Sequence, residues 1–369
     1  MADKIRLALV IPTMDRGGAE KQLCLLATHL DRQAFDVRVF LLTRDGPRSE
    51  ELRRRGIPVT VIGKRFKADP TALSRLKRAL QDFAPEIVHT WLFAANSFGR
   101  AAARMAGVPH LIASERCVDP WKHGGHFFID RFLARRTDRI TTNSRGVVDF
   151  YAANGIPREL FEVIPNGIEP LRPSRIDRDE AFRRLGIPVA NRLILAVGRL
   201  WPQKRYRDLI WAAELIATVR EDTTLVVIGD GPQSGELLRH RDAVTTPDRM
   251  TFAGQRDDVP DLLPHADVYW IASEYEGQSN GVIEAMQAGL PVVASDIPGN
   301  RDLVVHGETG WIVTLGDTAD FARQTMALLE DAGEAERLGR AGRRRIATEF
   351  TVDAMVRRHA DLYAEIVRK

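Results

Sequence analysis

Short runs rich in β-branched residues alternate with amphipathic helical stretches along almost the whole chain. One set of runs reads IRLALVI, DVRVFLL, VTVIG, EIVHT, HLIAS and RITTN, between residues 5 and 143. A second set reads LILAVG, TTLVVIG, RMTFAG, ADVYWIAS, LPVVAS and GWIV, between residues 193 and 313. This rhythm is typical of βα units, in which helices connect parallel strands. It predicts an α/β architecture.

The rhythm is interrupted at residues 161–180, FEVIPNGIEPLRPSRIDRDE. Its prolines and its Asn-Gly pair predict a linker. Because 369 residues suffice for two domains of ordinary size, we predict two doubly wound parallel-sheet domains, residues 1–170 and 171–350. The last stretch, 351–369, has the pattern of an amphipathic helix with no strand after it.

Composition limits the compartment and the partners. Two cysteines, Cys24 and Cys117, cannot form a disulfide framework, and no run approaches the roughly 18 apolar residues of a membrane span. We therefore expect a cytoplasmic protein. Residues 1–172 carry 28 Lys and Arg against 19 Asp and Glu, whereas the remainder carries 25 against 31. Either the first half faces an anionic partner or the asymmetry is a chance surface distribution.

The loops that follow strands are the expected ligand positions, because parallel sheets bind ligands beyond the carboxyl ends of their strands. In a two-domain protein of this class, the ligand is expected in the cleft between the domains. After the first strand, Gly17 and Gly18 precede a helix, which suits either an anion site or a plain turn. In VGRLWPQKRYRDLI, Gly198 ends a strand, and Arg199 and Lys204 flank a loop before a helix. Two cations there favour a phosphate site over a solvated basic loop.

Two further loops complete the predicted site. VVIGDGPQSGELL contains Gly229 and Gly231 but departs by one residue from a dinucleotide fingerprint, so it indicates a nucleotide and supports NAD only weakly. In EYEGQSNGVIEAMQAG, we expect Ser279 or Asn280 to cap a helix whose first turns contain Glu284. Glu276 and Glu284 can accept hydrogen bonds from ribose or sugar hydroxyls. The alternative is that they are surface acids at a helix start.

These blocks resemble the retaining family 4 glycosyltransferases. EGQSNGVIEAMQAGLPVVASDIPGNRDLVVHGETGWIV resembles the family signature, in which seven residues separate two glutamates. Four shorter stretches resemble the other blocks of the family, and they occur along the chain in the family's order: GGAE, VIPNGIE, VGRLWPQK and VIGDGP. The resemblance implies the GT-B fold: two Rossmann-like domains facing a cleft, with the last helix crossing back to the first domain.

The resemblance also implies a role for each matching residue. Arg199 and Lys204 would hold the donor diphosphate and stabilise the leaving nucleotide, so that neither a metal nor another cofactor is required. Glu276 would contact the donor sugar and Glu284 the ribose, and UDP is favoured over GDP by the family's habit. Further donor contacts would come from loops of both domains: Gly17, Gly18, Gly198, Gly229, Gly231, Arg256, Gln278, Ser279 and Asn280.

The chain departs from the family pattern at two positions. Arg116, in LIASERCVD, stands where many members have a histidine that contacts the donor sugar. It could favour a sugar with a carboxylate, or pair with Glu115 or Asp119, and the pairing is the favoured alternative. Arg205 follows Lys204 where the family often has glycine, and we expect this position to tolerate it.

The acceptor is expected on the basic first domain. A basic segment, KRFKADPTALSRLKRAL, and a basic aromatic one, WKHGGHFFIDRFLARR, could lie on an anionic membrane surface, although the aromatics could equally be buried. We expect a lipid-linked or glycan acceptor, as in bacterial exopolysaccharide or lipopolysaccharide assembly, with His89 as a candidate contact and peripheral association with the inner face of the membrane. The alternatives are a nucleotide-sugar epimerase, a non-catalytic nucleotide-sugar-binding subunit and, more distantly, an NAD-dependent oxidoreductase. No nucleic-acid recognition module is evident.

Overall fold

The protein is described here by a computed structural model that covers residues 4–368. These residues divide into two compact units, residues 4–167 with 351–368, and residues 168–350. The sequence placed the boundary at residue 170, a few residues later than the observed one. Each unit is an α/β structure with its own sheet, and every strand pairing described between residues 4 and 368 is parallel.

The first unit contains a sheet of seven strands in the order β3-β2-β1-β4-β5-β6-β7. Its strands are β1 (Ile5–Ile11), β2 (Phe35–Leu41), β3 (Val59–Val61), β4 (Ile87–Trp91), β5 (His110–Glu115), β6 (Arg139–Thr142) and β7 (Phe161–Val163). The helices between them are α1 (Gly18–His29), α2 (Pro47–Arg54), α3 (Pro70–Phe83), α4 (Leu92–Ala106), α5 (Gly124–Ala134) and α6 (Arg145–Ala153).

The second unit contains a sheet of six strands in the order β10-β9-β8-β11-β12-β13. Its strands are β8 (Arg192–Val197), β9 (Thr223–Ile228), β10 (Met250–Phe252), β11 (Val268–Ile271), β12 (Val292–Ser295) and β13 (Trp311–Val313). Its helices are α7 (Arg178–Leu185), α8 (Tyr206–Ala217), α9 (Ser234–Val244), α10 (Val259–Leu262), α11 (Asn280–Ala288), α12 (Pro298–Arg301), α13 (Thr318–Glu330) and α14 (Ala332–Glu349). The last helix, α15 (Val352–Val367), belongs to the first unit.

Both sheets are covered by helices on both faces, which explains why their strands are apolar without alternation. In β1, Leu7 and Leu9 pack in the core that includes α1 and α15, whereas Ala8 and Val10 face the core of α3 and α4. In the second unit, alternate residues of β8 divide between two cores in the same way. These are the two doubly wound domains of the predicted GT-B fold.

The return of α15 to the first unit is the feature that makes this unit discontinuous in sequence. Met355, Tyr363 and Ile366 of this helix are buried in the same core as Leu23 and Leu26 of α1. Thr351 caps the helix by accepting a hydrogen bond from the backbone of Ala354 at 3.1 Å. The predicted crossing of the last helix back to the first domain is confirmed.

Candidate active site

The loops after β8, β9 and β11 lie at the carboxyl edge of the second sheet, because these neighbouring strands are parallel. From β8 the chain proceeds outward to β9 on one side, and then returns to β11 on the other side. The carboxyl ends of the neighbouring strands β8 and β11 therefore form the topological switch point, where open α/β sheets bind ligands. The predicted donor-site residues after these strands are brought to one edge.

A salt bridge between Lys204 and Glu276 spans this switch point. Lys204 ends a 3₁₀ turn after β8, Glu276 lies in the loop after β11, and their side chains are only 15% and 11% exposed. Gln203 ties the two loops together: its carbonyl oxygen accepts from the Glu274 amide at 2.8 Å, and its Nε2 donates to the Tyr275 carbonyl at 2.6 Å. Gln203 was not among the predicted site residues, although it lies within the VGRLWPQK stretch.

Gly198 allows the lysine to lie against the end of β8. A Cβ atom at Gly198 would be 3.0 Å from the Tyr206 hydroxyl oxygen and 3.4 Å from Cε of Lys204. Arg199 is exposed, and its guanidinium carbon lies 5.3 Å from the ring centroid of Trp201. One cation is thus held rigidly at the edge of the sheet, and the other is presented to solvent beside it.

Arg205 occupies a left-handed backbone conformation, with φ +50° and ψ +41°. This is the region that glycine enters without steric cost, which explains why a glycine would suit the position. The guanidinium Nε donates to Asp208 at 2.7 Å, so the side chain is used even though the backbone is unfavourable. The arginine is accommodated, but at a conformational cost that sequence reasoning did not assign.

The glycines after β9 serve close backbone packing. Gly229 has φ +148°, and a Cβ atom there would be 1.9 Å from the carbonyl oxygen of Gly198. A Cβ atom at Gly231 would be 2.5 Å from the carbonyl oxygen of Leu200. The two loops therefore lie back to back, and this contact accounts for glycines whose spacing does not fit a dinucleotide fingerprint.

Helix α11 begins at the same edge. Ser279 occupies its N-cap position but makes no side-chain capping hydrogen bond, so the expected side-chain cap is not found there. Gln278 and Ser279 are buried, and Glu284 is half-buried one turn into the helix. The first turn directs its backbone N–H groups, and the positive end of the helix dipole, towards the loop that contains Glu276.

Tyr269 supports this helix from beneath, which the sequence did not reveal. Its hydroxyl donates to the Val197 carbonyl at 3.2 Å, and a Cβ atom at Gly281 would be 2.3 Å from the hydroxyl oxygen. Burial, reinforced by nearby ionisable groups, raises the pKa of Tyr269 well above its usual value, so this phenol remains a hydrogen-bond donor. Its contacts fix the start of α11 against the end of β8.

Arg256 follows β10 and is bound by an acid of its own loop. Its guanidinium donates to both carboxylate oxygens of Asp258, at 2.8 and 2.7 Å, and to the Arg184 carbonyl at 3.2 Å. The hydrogen bonds with Asp258 raise the pKa of Arg256 and lower that of the aspartate. Its charge is therefore balanced locally, and its contact with a base stays a prediction.

In the first unit, α1 begins at Gly18, and Gly17 occupies its N-cap position in the loop that follows β1. Arg116 follows β5, donates to Asn166, and lies with its guanidinium carbon 4.9 Å from the ring centroid of Trp91. Burial lowers the pKa of Arg116 to about 9. The expected contact of these residues with a donor stays a prediction.

The two acids near Arg116, Glu115 and Asp119, are bound by a lysine that was not among the predicted site residues. Lys122, whose side chain is fully buried, lies 3.7 Å from Glu115, 3.4 Å from Asp119 and 3.1 Å from Asp130. Its signal in the sequence was weak, because a lysine in a basic aromatic segment resembles a surface residue. Burial of a cation requires such partners.

His89 does not have an acceptor-facing position. Its side chain is completely buried, with Nδ1 at 2.7 Å from the Tyr363 hydroxyl and Nε2 at 3.2 Å from Thr141 Oγ1. Burial, followed by the influence of His359, lowers the pKa of His89 well below its usual value. The prediction of an acceptor contact is wrong, because this histidine is a neutral core residue that helps to bind α15.

Comparisons with known proteins agree with this arrangement. The model of "Glycosyl transferases group 1" matches residues 177–345, and that of "Glycosyltransferase Family 4" matches residues 16–172. Together they cover most of both units. The chain belongs to the family 4 glycosyltransferases.

Individual relatives are glycosyltransferases, and a solved structure shares the fold. The chain is 27% identical to an Escherichia coli UDP-Gal:alpha-D-GlcNAc-diphosphoundecaprenol alpha-1,3-galactosyltransferase, over 92% of this chain and 91% of the relative. It is 26% identical to a Streptomyces fradiae 2-deoxystreptamine N-acetyl-D-glucosaminyltransferase, over 86% and 83%. Its fold matches the crystal structure of Anabaena Alr3699/HepE in complex with UDP-glucose, with a TM-score of 0.88, 23% identity and coverage of 98% and 100%.

Proposed function

We propose that this glycosyltransferase moves a hexose from a UDP-sugar to a lipid-linked or glycan acceptor in the assembly of a bacterial cell-surface polysaccharide or lipopolysaccharide, with retention of anomeric configuration. The observation that carries the donor half of this proposal is the Lys204–Glu276 pair at the switch point of the second sheet. The printed names support the rest: HepE is bound to UDP-glucose, and the E. coli relative uses a diphosphoundecaprenol acceptor.

The donor diphosphate would be held by charge and by backbone donors. Lys204 supplies a fixed ammonium group, Arg199 an exposed guanidinium, and the start of α11 its backbone N–H groups. Glu284, one turn into that helix, would accept hydrogen bonds from ribose hydroxyls. Glu276, which is bound to the lysine, would accept hydrogen bonds from the donor sugar.

The transfer step that we propose needs no protein nucleophile. The acceptor hydroxyl oxygen forms a bond to the anomeric carbon as the bond from that carbon to the β-phosphate oxygen breaks, on the same face of the sugar. The hydroxyl proton passes to a phosphate oxygen of the departing UDP. Lys204 and Arg199 stabilise the negative charge that develops on this leaving group, which is the task a metal ion performs in other transferases.

The first experiment is a thermal-shift panel with UDP, GDP, ADP and NAD, followed by assays of UDP-sugar hydrolysis and transfer. We expect stabilisation by UDP above the other ligands. Lys204→Met should weaken UDP binding by about 10–100-fold, because a charge-assisted hydrogen bond is worth about 1.5–3 kcal/mol. Arg207→Met is the matched control: it removes an exposed cation at the start of α8 that pairs with Glu236, and it should leave UDP binding unchanged.

Three further measurements separate the alternatives. Glu276→Gln should retain the UDP shift and lose transfer, whereas full transfer by this variant would remove the proposed role of Glu276. NMR of the product would show retained or inverted configuration, and activity that survives EDTA would support a metal-independent reaction. UDP binding without transfer to any acceptor would favour a non-catalytic binding subunit, and conversion of one UDP-sugar into another would favour an epimerase.

A further inference from the structure

Helix α5 of the first unit exposes large apolar side chains on the face that points away from its core. Phe128 is 66% exposed, Phe132 52% and Ile129 42%. Phe127 and Leu133, on the opposite face, are buried. The helix therefore has one apolar stripe in the core and a second one that no other part of its unit covers.

Exposed apolar side chains also lie on chain segments that contact α5. Met105, next to the end of α4, is 52% exposed, and the guanidinium carbon of Arg104 lies 5.6 Å from the ring centroid of Phe132. On the other side, the indole of Trp121 is 52% exposed. It is supported by edge-to-face contacts with the rings of Phe93 and His126, at 5.2 and 5.3 Å. We call Met105, Trp121, Phe128, Ile129 and Phe132 the α5 patch.

The charged side chains that are exposed on α5 and at its C-terminal end have one sign. Arg131, Arg135 and Arg136 are exposed along the helix and at its end. The acid within the helix, Asp130, points inward, where it binds the buried side chains of Arg100 and Lys122. Asp119, near Trp121, is likewise occupied by the lysine. The exposed surface of the helix is thus apolar and cationic, without a compensating carboxylate of its own.

We propose that the α5 patch lies in the interfacial region of an anionic lipid bilayer. Phenylalanine and tryptophan side chains beside arginine are the composition that binds at this depth, where rings enter the acyl boundary and guanidinium groups meet lipid phosphates. The positive charge around the patch favours an anionic membrane over a second copy of the protein as the surface that covers it. A second copy of the patch would place like charges against each other, whereas an anionic membrane is complementary. No helix between residues 4 and 368 is long and apolar enough to cross a membrane.

This inference goes beyond the proposed function because it concerns where the enzyme sits, and its test requires no transfer. Purified protein is mixed with vesicles of phosphatidylcholine alone, or of phosphatidylcholine with about one third phosphatidylglycerol, and binding is measured by flotation. We expect binding to the anionic vesicles that falls steeply with added salt, because the attraction of each arginine is screened.

Two double variants test the two components. Phe128→Ser with Phe132→Ser should weaken binding roughly tenfold or more, by removing apolar surface that would enter the bilayer. Arg135→Ala with Arg136→Ala should weaken it about 30-fold, at about 1 kcal/mol for each arginine. All four side chains are exposed, so the fold should be kept, which circular dichroism and the UDP thermal shift would verify.

The second unit offers matched controls on exposed helical positions. Trp211→Ser with Leu215→Ser removes comparable apolar side chains from α8, and Arg343→Ala with Arg344→Ala removes an adjacent arginine pair from α14. Both controls should leave vesicle binding unchanged. Absence of binding to anionic vesicles, or binding that the α5 variants do not reduce, would overturn the proposal. So would a dimer in analytical ultracentrifugation that Phe128→Ser with Phe132→Ser dissociates, because the patch would then bind another copy.

Discussion

Glu115 is a buried carboxyl whose ionisation should limit the stability of the first unit. It accepts a hydrogen bond from the Tyr151 hydroxyl at 2.9 Å and lies 3.7 Å from the Lys122 ammonium. The same lysine also binds Asp119 and Asp130. Burial, only partly opposed by Lys122, raises the pKa of Glu115 to about 6 from an unperturbed 4.5.

This rise in the pKa of Glu115 determines the direction and the size of a change in folding stability with pH. The folded protein holds the Glu115 proton up to a higher pH than the unfolded chain, so its stability falls as pH rises through the window from about 4.5 to about 6. At about 1.4 kcal/mol per pH unit, the accumulated cost at pH 7.5 is about 2 kcal/mol. Glu115→Gln keeps an oxygen that can accept from Tyr151 and carries no such cost. The variant should therefore gain about 2 kcal/mol relative to the wild type on going from pH 4.5 to pH 7.5.

The assay is urea unfolding of both proteins at the two pH values. Circular dichroism gives the free energy of unfolding, and amide hydrogen exchange in β5 assigns the transition to the first unit, because two-domain proteins need not unfold in one step. If Glu115→Gln changed stability by the same amount at both pH values, the reasoning would be refuted, since the carboxyl would then titrate alike in the folded and unfolded chains.

Asp130→Asn provides the matched control, because it is the same carboxylate-to-amide change in the same cluster. Asp130 lies 3.2 Å from Arg100 and 3.1 Å from Lys122, and both cations are buried. Its removal leaves the Arg100 charge poorly compensated, so we expect a loss of about 3–5 kcal/mol. Most of that loss should appear at both pH values, in contrast to the effect of Glu115→Gln, because Asp130 contributes only part of the rise in the pKa of Glu115.

Three other substitutions test a close backbone approach, a buried hydrogen bond and a buried ion pair. Gly229→Ala should destabilise the second unit by more than about 2 kcal/mol and abolish the UDP thermal shift, because its Cβ atom would overlap the Gly198 carbonyl oxygen; an unchanged melting temperature would contradict this. Tyr363→Phe should cost about 1–3 kcal/mol, since it removes the partner of a buried His89 nitrogen; unaltered urea unfolding would argue against that role. Lys122→Met should cost about 3–5 kcal/mol at pH 7.5, with partial recovery when Glu115→Gln is added; equal unfolding of single and double variants would show that the two groups are not coupled.

The strands were predicted well because both sheets are buried on both faces. Each quoted run overlaps an observed strand, and IRLALVI coincides with β1. The missed strand is β7, Phe161–Val163, which lies at the edge of the first sheet inside the segment interpreted as a linker. A strand of three residues beside prolines has no periodicity to recognise, and only its pairing with β6 defines it.

The predicted site residues that the structure brings together are those whose positions follow from contiguous sequence. Gly198, Lys204, Glu276 and the start of α11 follow strands that are neighbours in one sheet, so their meeting follows from the βα rhythm once the strand order is known. The prediction for His89 failed because its position in β4, two residues before the end of that strand, resembles a site position, although α15 covers it from far along the chain.

The sequence alone determined the α/β class, the two domains and the edge of the sheet at which the donor loops lie. These features depend on hydrophobic periodicity and on strand ends, which are properties of contiguous residues. Only the tertiary structure decided that Lys122 is buried while Phe128 is exposed, although the two lie six residues apart in one basic aromatic segment. Burial of a charge depends on the carboxylates that surround it, and Glu115, Asp119 and Asp130 come together around Lys122 only through the packing of α5 and α6 against β5.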